Sequence, residues 1–163
     1  IATHLPGHLN PLADLLSRQW IDLQLRRANH PLAAGAVHFI CRRLRCPSPE
    51  IDAFASWTSH QLPTYWAWGA DPCSAGSDAL AQSWLNRRLF INPPFALIRR
   101  VLQKILADPP AQVVLVVPDW NLEWTKTLQA IALRSISLPP SLQLFQPRRR
   151  LWKLRAWLIV SNP

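Results

Sequence analysis

The sequence predicts an α/β fold with a mostly parallel sheet flanked by helices. Three observations predict it. Val113 to Val117 is an unbroken, largely β-branched run of the kind buried on both faces of a parallel sheet. Short apolar stretches alternate with stretches of helical spacing over the last two-thirds of the chain, as in βαβ architectures. Polar signals stand at the ends of several expected strands, where such sheets place their ligands.

In chain order, Asn10 can cap a helix with Pro11 at its first position, continued by Leu12 to Leu16. Residues 21–31 are polar and basic and read as a connector. Ala33, Ala36, Val37, Ile40, Cys41 and Leu44 follow helical spacing within 32–44, and Pro47-Ser48-Pro49 stops that helix. Glu50 to Phe54 reads as a first strand and 56–72 as an aromatic-rich loop. Ser77 to Trp84 reads as a short helix and Leu89 to Ile91 as a second strand. Ala96 to Leu106 is helical, with Leu97, Ile98, Val101, Leu102, Ile105 and Leu106 on one face. The Val-rich strand ends at Pro118-Asp119-Trp120. Leu122 to Leu133 is a further helix, 137–150 is irregular, and Ala156 to Val160 is a last strand. The domain reading is therefore 1–20, a linker and helix at 21–48, and an α/β domain at 49–163.

The 163 residues suffice for one domain with a real core plus an extension. A hydrophobic fraction of 49% and a charged fraction of 17% exclude a disordered chain. The net charge of +9 favours a nucleic-acid partner. Most Arg pairs read as solvated helix faces, whereas the run Arg148-Arg149-Arg150 is the one expected to touch phosphate. Cys41, Cys46 and Cys73 form no CxxC pair, so neither a zinc site nor a paired disulfide framework is expected, and reduced thiols in an intracellular compartment are. The five His are scattered without metal-ligand spacing. No apolar run reaches transmembrane length. With no Met, the chain is expected to be a segment of a longer polypeptide.

The most informative motif is Asn92-Pro93-Pro94-Phe95, directly after Leu89-Phe90-Ile91. The Asn side-chain oxygen and the Pro93 carbonyl can each accept a hydrogen bond from a planar NH2 group. The Pro pair stiffens the turn, and Phe95 offers a face on which a flat ring can stack. A proline-rich strand end with a core Phe is the competing reading. Asp52 to Ser56 and Asp119 also stand at strand ends, which favours a shared cleft and the functional reading. The Trp residues read as core and loop anchors, with Trp120 the candidate exception for base stacking.

The order of signals from Ile51 onward resembles the phage-type DNA adenine methyltransferase family. Asp52-Ala53-Phe54-Ala55-Ser56 is similar to its first motif, Asp-x-x-Ala-Ser, and Pro63-Thr64-Tyr65 to its Pro-Arg-Tyr stretch. Asp78-Ala79-Leu80-Ala81-Gln82-Ser83-Trp84 resembles its Asp-Gly-Leu-x-x-x-Trp segment, and Asn92 to Phe95 follows. Residues 3–18 carry a second resemblance. His4-Leu5-Pro6-Gly7, Asn10 and Ala13-Asp14-x-Leu16-Ser17-Arg18 are similar to the end of a retroelement ribonuclease H domain. The two together resemble part of the polyprotein of DIRS-type retrotransposons, in which reverse transcriptase and ribonuclease H precede a methyltransferase-like domain.

The resemblance implies a Rossmann-like methyltransferase fold, S-adenosylmethionine as cofactor, and adenine in DNA as acceptor, single-stranded or flipped from a duplex. Asn92, Pro93 and Phe95 would hold and stack the target base. Asp52, Phe54, Ala55 and Ser56 would line the donor pocket, and Asp78 is a further donor-side candidate or a helix cap. Arg148, Arg149 and Arg150 would neutralise DNA phosphates. Asp14 would match the last metal-binding carboxylate of a ribonuclease H site, but two-metal hydrolysis needs several carboxylates, so no metal is expected within this chain alone. Upstream reverse transcriptase and ribonuclease H domains are the implied partners, a membrane is not, and action in the nucleus is expected of an element that integrates into a genome. Two alternatives stand beside this reading: a catalytically degenerate nucleic-acid-binding module, favoured by the Ala-Ser loop and by the little room for a separate target-recognition domain, and a methyltransferase acting on a protein amide, disfavoured by the charge of +9 and the retroelement context.

Overall fold

The computed structural model describes residues 32–67, 69–143 and 152–161. The ribonuclease-H-like stretch with Asp14, and Arg148, Arg149 and Arg150, lie outside the described residues. Among those described, the chain is α/β, with a seven-stranded mixed sheet and three α-helices. In order these are α1 (Ala36–Leu44), β1 (Ile51–Ala55), β2 (Tyr65–Ala67), β3 (Gly76–Ser77) and β4 (Arg88–Ile91). A 3-10 turn at Phe95–Leu97 leads into α2 (Ile98–Ala107), then come β5 (Gln112–Pro118), α3 (Glu123–Ile131), β6 (Arg134–Leu138) and β7 (Leu154–Val160). The strand order is β3-β2-β1-β4-β5-β7-β6.

The Val-rich β5 is buried along its whole length. It lies between β4, paired parallel, and β7, paired antiparallel from Gln112↔Val160 to Pro118↔Leu154. Strand alternation sends Val113, Leu115 and Val117 to one face and Val114 and Val116 to the other. The first face is covered by α2, through Ile98, Val101, Leu102 and Ile105, and by α3, through Trp124 and Leu128. The second is covered by α1, through Ala36, Val37, Ile40, Cys41 and Leu44. A strand walled by helices on both faces has no polar face to alternate, which is why it reads as a solid apolar run.

The sheet is mixed where a mostly parallel one was expected. Strands β1 to β5 pair parallel throughout, but β7 runs antiparallel to both β5 and β6. Strand β7 turns back beside β6, the strand it follows, pairing with it from Arg134↔Leu158 to Leu138↔Leu154, and at the same time fills the place next to β5. A strand that returns beside its predecessor in this way is antiparallel to it. Strand β6 itself falls partly in a stretch read as irregular.

Other elements also differ from expectation. Strand β2 lies inside the expected aromatic-rich loop, and β3 follows it at Gly76–Ser77. No helix forms at 77–84. Asp78 adopts φ +51, a conformation Asn and Asp tolerate better than most residues. Its Oδ1 accepts the Leu80 N–H, and the Ala81 N–H bonds the Asp78 carbonyl, so the chain turns instead of winding. Helix α1 starts later than its apolar spacing suggests, because Leu32 bridges to Gln143 and Gly35, at φ +79, breaks the path before Ala36. On α2, Leu106 is exposed, so the buried face is narrower than predicted.

The turn after β3 is anchored by Trp84, which is fully buried. Its Nε1–H donates to the Ala79 carbonyl at 2.7 Å, and its backbone N–H donates to Asp108 Oδ2 at 2.7 Å. Lys104 pairs with the same carboxylate at 2.9 Å and lies 5.9 Å from the Trp84 ring centroid. These donors hold the Asp108 carboxyl below the usual carboxylate range, the Trp84 N–H first and Lys104 next. Trp84→Ala removes the plug and orphans the Ala79 carbonyl. A loss of about 3–5 kcal/mol is expected, measured by urea unfolding. A loss under about 1 kcal/mol would show that the turn is not part of the cooperative core.

Candidate active site

In an open parallel sheet the crevice forms outside the carboxyl ends of the strands, where neighbouring strands connect in opposite directions. Here that point lies between β1 and β4, because β1 leads outward to β2 and β3 while β4 leads the other way to β5. Asp52 to Ala55 lie within β1 and Ser56 follows it, while Asn92 to Phe95 follows β4. The two motifs, far apart in sequence, therefore leave the sheet side by side, in register from Ile51↔Leu89 and Asp52↔Phe90.

Strand β1 is bulged at this place. Asp52 pairs with Tyr65 but Ala55 pairs with Ala67, so one extra residue is accommodated on β1. Bulges re-aim side chains and concentrate beside functional sites. Phe54 packs against the same core as Phe95 and Trp120, while Ala55 is buried with Tyr65 and Ala67. Phe54, Phe95 and Trp120 thus converge over the ends of β1, β4 and β5.

Following β4, Pro93 and Pro94 are buried and Asn92 is half-buried. The Pro94 carbonyl accepts the Leu97 N–H at 2.9 Å and starts the 3-10 turn. The Pro93 carbonyl and the Asn92 amide are the acceptor types that the motif sets at the end of β4. Phe95 meets Trp120 edge to face, with centroids 4.9 Å apart at 72°. Trp152, just before β7, meets Trp120 at 5.2 Å and 78° and Phe95 at 6.2 Å and 86°. Because β7 is reversed, it starts at the edge where β4 and β5 end, and this brings Trp152 to the site.

The expected donor residues divide. Phe54, Ala55 and Ser56 lie beside Asn92. Asp52 is 2% exposed, and its Oδ2 accepts the Gln61 N–H at 2.8 Å. Its carboxyl fastens the loop after β1. Gln61 Nε2 continues that fastening to the Leu32 carbonyl, and His60 stacks on Tyr65 at 4.7 Å and 8°. The Ser56 hydroxyl is tied to Ser59 Oγ at 2.8 Å and to Thr58 Oγ1 at 3.3 Å. Asp78 stands after β3, two strands from β1 and so about 10 Å from its end. It acts as a turn residue, not a helix cap. Asp119 is turned toward β7, where Arg155 grips both its carboxylate oxygens at 3.0 and 3.1 Å. That pair lines a separate cavity of about 500 Å³ between α3 and the β6–β7 edge.

Asp71 and Trp152 were not singled out from the sequence. Asp71, shortly after β2, accepts from Tyr65 Oη at 2.9 Å and from the Cys73 N–H at 3.0 Å. Burial and then the Asp71 carboxylate push the Tyr65 hydroxyl up to about 12. In doubly wound nucleotide-binding sheets an acid about 20 residues beyond the first turn holds a ribose hydroxyl, and Asp71 has roughly that place. A sequence signal pointed this way: residues 46–86 contain no Lys or Arg, yet hold Glu50, Asp52, Asp71 and Asp78. Of the exposed cations, Arg99, Arg100, Lys126 and Lys153 lie on the β4–β7 side. Glu50 stands at the amino end of β1, paired with Arg88, and Asp52 is buried, so Asp71 and Asp78 are the carboxylates that make the β1–β3 side of this edge acidic.

No protein-family model matches the chain, and no curated protein matches it significantly. Among the described residues there is no cluster of His, Cys, Asp or Glu able to hold a metal ion. No helix among them is long and apolar enough to cross a membrane.

Burial pushes the Asp52 carboxyl up to about 7, against the pull of the Gln61 and Phe54 N–H groups and His60. Between about pH 4 and about pH 7 the folded chain holds a proton that the unfolded chain has released, so stability falls as pH rises through that window. Asp52→Asn keeps an acceptor for Gln61 and removes the titration. Urea midpoints across this window are expected to fall less steeply in the variant. Equal slopes would place the pH dependence on another group.

Proposed function

We propose that this chain transfers a methyl group from S-adenosylmethionine to the exocyclic amine of adenine in DNA, as one module of a retroelement polyprotein. The observation that carries the reading is the emergence of Asn92-Pro93-Pro94-Phe95 beside the end of β1, at the switch point of the sheet. The strand order supports it: β3-β2-β1-β4-β5 is the doubly wound nucleotide-binding order, and the reversed β7 beyond β5 leaves that order intact. Where the resembled family writes Asp-Gly, Ala79 sits at negative φ, so the replacement carries no backbone strain.

The residues present fit the cofactor in charge and position. The β1–β3 end of the edge is free of Lys and Arg, which suits a cationic donor. The Phe54-Ala55-Ser56 turn would flank it, and Asp71 would accept from its ribose. Bound there, S-adenosylmethionine supplies an electrophilic methyl group. Asn92 Oδ1 and the Pro93 carbonyl would accept hydrogen bonds from the two amine N–H groups and aim the nitrogen lone pair, while Phe95 stacks on the base. As the N–C bond forms the sulfonium C–S bond would break, leaving a neutral thioether, and one amine proton would then be lost to water, so no strong general base is required. Positioning supplies the main acceleration. Arg99, Arg100 and Lys153 would attract the DNA backbone.

A degenerate module that binds nucleic acid without catalysis is the second reading. It is favoured by the inward commitment of Asp52 and of the Ser56 hydroxyl. Transfer of labelled methyl to adenine-containing DNA separates the two. Under the first reading the wild type labels adenine, and Asn92→Ala lowers the rate by about 100-fold or more, the scale of losing a positioning group. Absence of label together with absence of cofactor binding would leave the second reading standing.

A further inference from the structure

We propose that the site takes its acceptor as a single strand, with Trp152, braced by Trp120, stacking the nucleotide next to the one held at Asn92. This rests on the reading above for the target base but draws on different residues. Phe95, Trp120 and Trp152 come from three neighbouring strands, β4, β5 and β7, and meet in one compact cluster at the carboxyl edge, each ring edge to face with the other two. Their centroids, 4.9 to 6.2 Å apart, are those of rings in mutual contact. No ligand lodges between them, so what the cluster offers is its outer surface.

Trp152 is the most exposed of the three, at 37%. Its backbone is held by buried Gln143, which donates from Nε2 to the Trp152 carbonyl at 2.6 Å and accepts the Trp152 N–H on Oε1 at 3.3 Å. Its ring is braced edge to face by Trp120 and Phe95. An exposed ring held in this way is preorganised for stacking, because little entropy is lost when a base covers it. The ligand class follows from the charges around the rings. Arg99 and Arg100 stand on the first turn of α2 just after Phe95, and Lys153 follows Trp152. On this rim Asp119 is already matched by Arg155, and Glu123 faces Arg99 at 3.6 Å with both side chains well exposed, a pair that contributes little. Rings flanked by cations suit a polyanion with flat faces, and an apolar peptide offers neither. A duplex hides its base faces, and one flipped nucleotide fills only the Phe95 position. With Phe95 given to the target base, the exposed Trp152 offers a second ring to the neighbouring unpaired base.

The test is fluorescence anisotropy with one adenine-containing DNA sequence, offered single-stranded and as a duplex, alongside S-adenosylmethionine binding by equilibrium dialysis. The single strand is expected to bind more tightly than the duplex. Trp152→Ala should weaken the single-strand complex about tenfold or more, Trp152→Phe should retain much of the affinity, and cofactor binding and melting temperature should stay unchanged. Single-strand affinity indifferent to Trp152→Ala, or a preference for the duplex, overturns the proposal. Trp152-dependent single-strand binding without methyl transfer would uphold the stacking cluster and sink the catalytic reading. Methyl transfer indifferent to Trp152 would do the reverse.

Discussion

The structure depends on the burial of β5 between two walls of helices. A strand with apolar side chains on both faces needs cover on both, and α1 on one side and α2 with α3 on the other provide it. Covering both faces dictates crossover connections, and crossovers make neighbouring strands parallel. Parallel strands in turn bring all their carboxyl ends to one edge. The candidate residues that follow β1, β2, β4 and β5 owe their place to that chain of constraints. Asn92 and Ser56 are close because β4 and β1 both point at the same rim.

The one reversed strand adds to that rim. Strand β7 starts where β5 ends, with Leu154 opposite Pro118, so the residues that precede it join those that follow the others. Asp119 and Arg155 meet there, as do Trp120 and Trp152. The Asp119 N–H bonds the Lys153 carbonyl at 2.7 Å and fixes the two segments to each other. A wholly parallel sheet would have delivered the residues preceding its last strand to the opposite edge.

Much of this was legible in the residues. The solid apolar run of β5, the amphipathic α2 and the strand ends before Ser56 and Asn92 all read correctly, because each extends over enough positions for periodicity or a motif to show. Strands β2 and β3 did not, having three and two residues, too few for any period. The helix expected at 77–84 rested on composition, and a side-chain bond from Asp78 overrode it. Strand β6 was overlooked although Ser135 and Ser137 alternate with Ile136 and Leu138, because the helical spacing before it drew the boundary past the turn. The commitment of Asp52 to Gln61 could not be read, since it depends on where a loop folds back. Trp152 became visible as a site residue only once β7 was known to be reversed.

The division of charge along the edge has a physical consequence for how such a site can change. The acidic end rests on β1, β2 and their loops, and the ring-and-cation end on β4, β5 and β7. The two ends share a core but few side-chain bonds, and groups without shared partners respond to substitution nearly independently. Tightening the loop after β1, as the Asp52–Gln61 bond and the Ser56–Ser59 knot do, restricts the donor end without disturbing Phe95, Trp120 or Trp152. Strand recognition can therefore persist whatever becomes of the donor end. The converse is harder: Phe95 and Trp120 pack on the main core, so loss of the ring cluster would cost stability as well as binding. The aromatic end is the part of the edge that the fold itself maintains.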